Sequence, residues 1–405
     1  MNSSGSPLTV LEAVVRQTGI YGPSRKGRLS VFWGDQVFLP SVEKFEYTPT
    51  HHIDILCTLL GDSAPTEEEW TSQGLDKYGV IAVLNKSDGK EEAAQVEKVS
   101  HETATRMLKG LGDIKQVGPS LGSFSVSGAI LSGLCEEYNK ELTEKTAKLD
   151  TDPHFWMPLT LSEDDYIGLM EQKGIDKTES ADHYKRMKAF SDKFFPANTS
   201  LGVFGAVNVG KDACWWDYGQ LKLYSKNSLL LLDDSTTESA LLRKFLAIAD
   251  TPKTGKSDDG NVELTHAYIF GGKIGAGAAK DSIVCNVTTK ELNADGAVLV
   301  NCVAPKITAG KGCILYNLIS DKEINATDGQ VMVQVEGESA DASASSGFVL
   351  KSRMDIDGGK AWKNVVESNE LTFEQVHKNN KEANISKIET ERAAKRQKIA
   401  GEFGM

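Results

Sequence analysis

Asp217 is the first residue whose position suggests chemistry, because it ends a short aromatic run. Trp215 and Trp216 precede it in the segment "WWDYGQ", and Gly219 follows two residues later. The residues from Leu221 onward read as the start of a helix. Open α/β sheets bind ligands at strand ends of this kind. A surface aspartate behind a buried tryptophan pair has the same pattern, so the surrounding elements must decide.

The first quarter of the chain alternates helical and strand patterns. A Ser-Pro start followed by apolar residues at Leu8, Leu11, Val14 and Val15 predicts a helix. "RLSVFW" before a Gly-Asp turn, "IDILCTLL", "YGVIAVL" and "AQVEKVS" read as strands, and "HETATRMLKGL" reads as a helix. Strands separated by helices of this length predict a parallel or mixed α/β sheet with crossover connections.

A repeat begins in the second half of the chain, in four segments that start at Ile274, Leu292, Ile307 and Ile324. Each has a small residue two positions later and ends in a β-rich run, and the first three carry an asparagine near that end. The starting positions are 18, 15 and 17 residues apart. This repeat predicts a short parallel β-helix, with a β-sandwich as the alternative.

These patterns divide the chain into four parts. We predict an α/β domain over 1–250, a polar linker over 251–261, a β-helix domain over 262–340, and a loop with a charged terminal helix over 341–405. An open β-helix end exposes apolar residues. This favours packing against the α/β domain or assembly into a homo- or hetero-oligomer.

Composition excludes several classes of partner. The 405 residues carry a formal net charge of −12, so nucleic acid and membrane surfaces are not expected as partners. The six cysteines are scattered without metal-ligand spacing, which favours free thiols in a reducing compartment. We find no secretory signal and no apolar run of membrane-spanning length, and therefore expect a cytoplasmic protein.

Together, the strand-end acid, the α/β pattern and the β-repeat resemble the sugar-1-phosphate nucleotidyltransferases, also called nucleotide-sugar pyrophosphorylases. The resemblance runs in the family's motif order from residue 5 to about residue 320. It implies a Rossmann-like mixed sheet with crossover helices, followed by a short left-handed parallel β-helix. The segments that carry it are "VFWGDQVFLP", "DKYGVIAV", "QVEKVS", "PSLGSFSVS", "DTDPHFWMPLTL" and "WWDYGQLKLYSKNSLLLL".

In this family such segments hold a divalent cation, a sugar and its phosphate. The resemblance implies Asp35 and Asp217 as ligands of Mg²⁺, and Gly79 and Glu97 as contacts of the sugar. It implies Lys98 as the catalytic cation on the phosphate. These residue types suit the task, because Mg²⁺ prefers carboxylate oxygens and a lysine offsets phosphate charge.

The resemblance implies further contacts at positions where this sequence matches the family's motifs only in part. Gly5 and Ser6 stand at the family's helix start beside the nucleobase, which implies that they touch the base. Ser120 stands where the family has a sugar-contacting asparagine, and Val99 replaces a proline. Gln220 is similar to the mannose-1-phosphate guanylyltransferase branch, which favours GTP slightly over other NTPs.

The implied reaction is nucleotidyl transfer from an NTP to a sugar 1-phosphate, giving an NDP-sugar and pyrophosphate by positioning and charge stabilisation. The family's glycine-rich Gly-x-Gly-x-Arg loop has no counterpart, so the sequence resembles an N-terminally truncated member with an incomplete sheet. Two alternatives stay open. One is a catalytically inactive regulatory or scaffolding subunit on the same fold, and the other is a β-helix acyltransferase that uses His266.

Overall fold

The fold consists of two compact units that divide between Trp215 and Trp216. We call them the N-terminal unit and the C-terminal unit. The division lies before the predicted linker at 251–261. The computed structural model describes residues 27–39, 48–61, 63–72, 74–85, 89–144, 149–210, 212–248, 251–337, 347–356, 358–380 and 383–405.

A mixed β-sheet forms the centre of the N-terminal unit, with the strand order β5-β4-β6-β3-β7 and with β1 paired to β6. The pair β3–β7 is parallel, whereas β1, β3 and β4 each run antiparallel to β6. The predicted mixed α/β sheet is thereby confirmed. The strands up to the division are β1 Arg28–Val31, β2 Gln36–Leu39, β3 His51–Cys57, β4 Gly79–Asn85, β5 Glu91–Glu97, β6 Asp113–Ser127, β7 Gly202–Asn208 and β8 Cys214–Asp217, which spans it.

Helices connect these strands, and polar side chains cap their starts. Ser127 accepts a hydrogen bond from the Ile130 amide, and Asp176 accepts one from the Thr178 amide, so each satisfies a free N–H of a first turn. The helices are α1 Glu67–Ser72, α2 His101–Lys109, α3 Gly128–Glu137, α4 Asn139–Glu144, α5 Met157–Thr160, α6 Glu163–Gln172 and α7 Lys177–Ala197, with a 3₁₀ turn at Leu75–Lys77 and a π turn at Asp152–Trp156.

The core of the N-terminal unit is apolar and aromatic. Ile53, Ile81 and Phe124 from the sheet are fully buried, together with Trp156 from the π turn. The continuous apolar runs of the sequence are the buried strands of this sheet, as expected for strands covered on both faces.

The C-terminal unit is dominated by a β-solenoid of about four turns, built from β10 to β16 with parallel pairing. This pairing confirms the predicted β-helix and excludes the sandwich. Its elements are α8 Leu221–Leu229, a 3₁₀ turn Leu230–Leu232, α9 Thr237–Phe245, β9 Lys253–Lys256, β10 Val262–Lys280, β11 Ile283–Asp295, β12 Val298–Val300, β13 Lys306–Ala309, β14 Ile314–Tyr316, β15 Ile324–Ala326, β16 Gln330–Val335, β17 Phe348–Arg353, α10 Gly358–Lys363, α11 Phe373–Asn379 and α12 Ile385–Glu402.

The predicted stacking register is correct for three of the four repeat segments. Leu292 pairs with Ile307, and Ile307 pairs with Ile324, as the sequence alignment predicts. The first position was wrong, because Gly277 rather than Ile274 pairs with Leu292. The glycine- and alanine-rich first segment offers no distinctive aliphatic marker. The residues that do repeat at equivalent positions of successive coils are small and buried. They are Ala279, Ala294, Ala309 and Ala326.

One corner of the solenoid carries a ladder of asparagine side chains. Asn286, Asn301 and Asn317 have φ values of 52°, 56° and 61°, a left-handed conformation that asparagine tolerates better than most residues. The Asn286 amide donates to Asn301 Oδ1 at 2.8 Å, and the Asn301 amide donates to Asn317 Oδ1 at 3.2 Å. Arg396 of α12 donates to Asn286 Oδ1 at 3.0 Å. The ladder therefore joins successive coils to the last helix.

Candidate functional site

Three of the predicted substrate-binding residues lie together in the N-terminal unit. Gly79 opens β4 and pairs with Glu97, the last residue of β5. A Cβ on Gly79 would lie 2.6 Å from Glu97 Oε2, 2.9 Å from Gln95 Nε2 and 3.4 Å from Ser120 Cβ. Any side chain at this position would have to displace the ends of the Glu97 and Gln95 side chains.

Lys98 follows directly at the end of β5 in an unusual backbone conformation. Its φ is 55°, and its amide donates to Tyr78 O at 3.1 Å. A left-handed conformation is costly for a lysine and is typical of functional sites. The ammonium lies 3.4 Å from Glu97 Oε1, and 66% of the side chain is exposed. Lys98 therefore presents an exposed charge beside a more buried carboxylate.

Asp152 belongs to the same cluster, although the sequence analysis did not select it. Gln95 Nε2 lies 3.5 Å from Glu97 Oε2 and 3.5 Å from Asp152 Oδ1. Burial, and then the charge of Glu97, raises the pKa of Asp152 to about 6, against the opposing effect of Lys173 and Lys98. The sequence contains one indication of this turn, because an aspartate directly before a proline is typical of the start of a helix.

Gln95 is the second site residue that the sequence analysis missed. It lies between Ala94 and Val96 on β5 and is only 3% exposed. Within the described residues, no group donates a hydrogen bond to its Oε1. A buried polar atom without a partner is uncommon and suggests a ligand or water at that position.

Asp35 lies in the turn between β1 and β2, and its side chain is exposed. Trp33, two residues earlier, packs against Gly122, where a Cβ would lie 2.5 Å from the indole nitrogen. The Gly122 amide in turn donates to Ser120 Oγ at 3.1 Å. The residues before Asp35 are thereby packed against the segment that carries Ser120.

The residue after Asp35 is also fixed to the site. Gln36 Oε1 accepts a hydrogen bond from Trp215 Nε1 at 3.1 Å. The Trp215 ring meets the Tyr78 ring edge-on at 5.6 Å between centroids, and Tyr78 directly precedes Gly79. Trp33 therefore contacts the segment that carries Ser120, and Gln36 is linked to the segment that carries Gly79 through Trp215.

Asp217 lies in the C-terminal unit and is partly engaged by its own turn. Its Oδ1 accepts a hydrogen bond from the Gly219 amide at 2.7 Å, and its carbonyl oxygen accepts one from Asn227 Nδ2 at 2.7 Å. The glycine after the strand therefore closes a turn around the carboxylate. Since Asp35 and Asp217 belong to different units, their convergence on one ion stays a prediction.

The remaining predicted residues divide into two groups. Gly5 and Ser6 lie outside the described residues. His266 lies on the solenoid with its Nδ1 at 2.9 Å from Asp281 Oδ1, and both side chains are largely exposed. Among the described residues, no group of three or more His, Cys, Asp or Glu side chains is arranged to hold a metal ion.

A separate group of charges is structural. Arg28 Nη2 lies 2.8 Å from Asp54 Oδ2, and the Asp54 side chain is 1% exposed. Burial lowers the pKa of His51, but hydrogen bonds to Asp54 and to the Glu91 carbonyl, and the charge of Glu92, outweigh it and raise the pKa overall. These contacts join β1, β3 and β5 inside the N-terminal unit.

No family model matches the chain, and no curated protein matches it either. No helix within the described ranges combines the length and apolarity needed to cross a membrane.

Proposed function

We propose that the N-terminal unit binds a sugar 1-phosphate and transfers a nucleotidyl group to it from an NTP, releasing pyrophosphate. The observation that supports this proposal is the convergence of Gly79, Glu97, Lys98 and Ser120 around one end of β4 and β5. A carboxylate and a hydroxyl suit the hydroxyl groups of a sugar, and an exposed ammonium suits its phosphate.

Each residue of this cluster has a distinct role in the proposal. Gly79 leaves room for the Glu97 side chain to cross the strand, and Glu97 accepts hydrogen bonds from sugar hydroxyls. Lys98 compensates charge on the attacking phosphate and on the α-phosphate of the NTP. The reaction needs no covalent nucleophile, so the residues act by orientation and charge stabilisation.

The proposal includes Mg²⁺ held by Asp35 and Asp217. Both residues supply carboxylate oxygens, which fit a hard divalent cation, although Asp217 Oδ1 already accepts a backbone hydrogen bond. When bound, the ion would neutralise phosphate charge and favour departure of pyrophosphate. Gly5 and Ser6 as base contacts, and the preference for GTP indicated by Gln220, belong to the same proposal.

The proposed setting follows from charge and cysteine content. We infer a cytoplasmic protein whose partners are an NTP and a sugar 1-phosphate, rather than nucleic acid or a membrane. The net charge of −12 and six free cysteines support this inference. Homo- or hetero-oligomerisation through the solenoid end belongs to the proposal as well.

A catalytically inactive regulatory or scaffolding subunit is the second candidate. It is favoured by the hydrogen bond from the Gly219 amide to Asp217, because that bond gives the carboxylate a structural role in its own turn. Such a subunit would keep the sugar-phosphate cluster and lack turnover.

Pyrophosphate release distinguishes the two candidates. The full chain is assayed with Mg²⁺, each common NTP, and mannose, glucose or galactose 1-phosphate. We expect Lys98→Ala to lower kcat/KM about 100-fold or more, since it removes charge stabilisation at the phosphate. Lys109→Ala, at an exposed lysine ending α2, is the control and should be unaffected.

Absence of turnover with every pair, combined with measurable binding of a sugar 1-phosphate, would support the regulatory subunit. Absence of both turnover and binding would contradict both candidates. Equal activity of Lys98→Ala and Lys109→Ala would remove Lys98 from the mechanism.

A further inference from the structure

Two carboxyl groups in the N-terminal unit share one amide nitrogen. Glu97 ends β5, whereas Asp152 opens the π turn, so two distant segments of the chain bring these acids together. Gln95 Nε2 lies 3.5 Å from an oxygen of each. The Glu97 side chain is 11% exposed, and Asp152 is partly buried.

This arrangement is unfavourable for folding alone. Like charges in a partly buried position repel each other, and burial further disfavours the ionised forms. Both effects raise the pKa of Asp152. Two lysines reduce the cost, Lys98 beside Glu97 and Lys173 at the end of α6, but both are surface residues. Acid pairs of this kind occur mainly where a ligand uses them.

The atoms offered by the cluster indicate the chemistry of the ligand. Glu97 and Asp152 present carboxylate oxygens, and Gln95 presents a carbonyl oxygen that is buried and has no donor among the described residues. All three are hydrogen-bond acceptors, so a complementary ligand brings several O–H donors and no negative charge at this position.

We propose that Asp152 and Gln95, together with Glu97, bind the hydroxyl groups of the sugar and select a neutral, polyhydroxylated sugar 1-phosphate over one that carries a carboxylate. The inference rests on the proposed function, because it assigns the sugar end of the same site. Asp152 and Gln95 are specificity-determining residues in this assignment. Each bidentate or buried hydroxyl contact discriminates strongly against a ligand that cannot donate.

Binding has a protonation signature. Sugar hydroxyls that donate hydrogen bonds to the Asp152 carboxylate favour its ionised form and lower its pKa, so the complex releases part of a proton at about pH 6. The charged groups that face Asp152 are Glu97 and Lys98 from the end of β5, and Lys173 from the end of α6. A residue with a purely structural role would not produce this release.

The test is titration calorimetry of the full chain without NTP, using mannose 1-phosphate, glucose 1-phosphate and glucuronic acid 1-phosphate. Two buffers with different ionisation enthalpies at about pH 6 report the proton release. We expect at least one neutral sugar to bind about 10-fold or more tightly than the uronic acid, with proton release.

Variants assign these effects to residues. Asp152→Asn should abolish the proton release and reduce the discrimination against glucuronic acid 1-phosphate. Gln95→Met, which keeps the shape and removes the acceptor, should weaken neutral-sugar binding about 10-fold. The control is Asp192→Asn, at an exposed aspartate of α7, which should bind as the wild type does.

Other outcomes overturn the inference in distinguishable ways. If both site variants retain wild-type affinities and proton release while pyrophosphate is still produced, the inference fails and the proposed function stands. If the discrimination and proton release appear without production of pyrophosphate, the inference stands and catalysis fails. If none of the three sugar phosphates binds, the inference is wrong.

Discussion

At the scale of single residues, the ionised form of Asp152 is disfavoured in the folded chain by burial and by the charge of Glu97. Its carboxyl titrates with a pKa of about 6 in the folded chain, against an ordinary value of 3.8. The folded state therefore holds this proton more strongly than the unfolded state does. Stability contributed by the group is complete below about pH 4 and is lost as pH rises toward 6.

Replacing Asp152 with asparagine should stabilise the chain at neutral pH. The shift in pKa corresponds to a gain on the order of 3 kcal/mol in unfolding free energy at about pH 7, which disappears below pH 4. Urea unfolding of the wild type and of Asp152→Asn between pH 4 and 7.5 measures this difference. Parallel pH profiles for the two proteins would contradict the assigned pKa.

At the scale of elements, buried and exposed ion pairs should behave differently. Arg28 on β1 pairs with Asp54 on β3, and both side chains are nearly inaccessible. Arg28→Met removes the guanidinium from a buried carboxylate, which keeps its contact with His51, and should cost about 3 kcal/mol of unfolding free energy. The exposed pair of Lys115 and Glu91 is the control, and Lys115→Met should cost less than about 1 kcal/mol. Equal losses of unfolding free energy in the two variants would show that burial does not increase the contribution of the ion pair.

The asparagine ladder makes a second prediction at this scale. Asn301→Ala places alanine in a left-handed conformation and removes two side-chain hydrogen bonds, so it should cost about 2 kcal/mol. Asn301→Gly accepts the same backbone conformation and should recover part of that loss. The difference between the two variants in thermal unfolding isolates the conformational cost. A glycine variant as unstable as the alanine variant would assign the whole effect to the ladder.

The elements also show what the sequence could predict. Gly79 and Glu97, which the family resemblance selects, pair on neighbouring strands, whereas their role as sugar contacts stays a prediction. Asp152 and Gln95 were missed because no local spacing connects a π turn with a strand that precedes it by more than fifty residues. The first coil was misaligned because its glycine and alanine residues fit several registers. Long-range contacts between residues of ordinary type decide these features, and local patterns do not encode them.

At the scale of the whole molecule, each unit has its own hydrophobic core. One core lies around Ile53 and Phe124, and the other lies around Leu292 and Leu299 inside the solenoid. We expect calorimetry to resolve two transitions, of which mannose 1-phosphate at 100 times its dissociation constant stabilises one by about 2.7 kcal/mol. Arg28→Met should lower the midpoint temperature of that transition, and Asn301→Ala should lower the midpoint temperature of the other. A single transition that responds to both variants would show one cooperative unit.

The side-chain amides of Asn286, Asn301 and Asn317 form a row of dipoles along one corner of the solenoid. The side-chain amides of Asn286 and Asn301 each point an N–H toward the next coil, so their small dipoles add along the corner as peptide dipoles add along an α-helix. The negative end lies at Asn286, where the guanidinium of Arg396 meets it. An added asparagine coil would continue the row after Asn317, whereas one inserted before Asn286 would have to displace a cation.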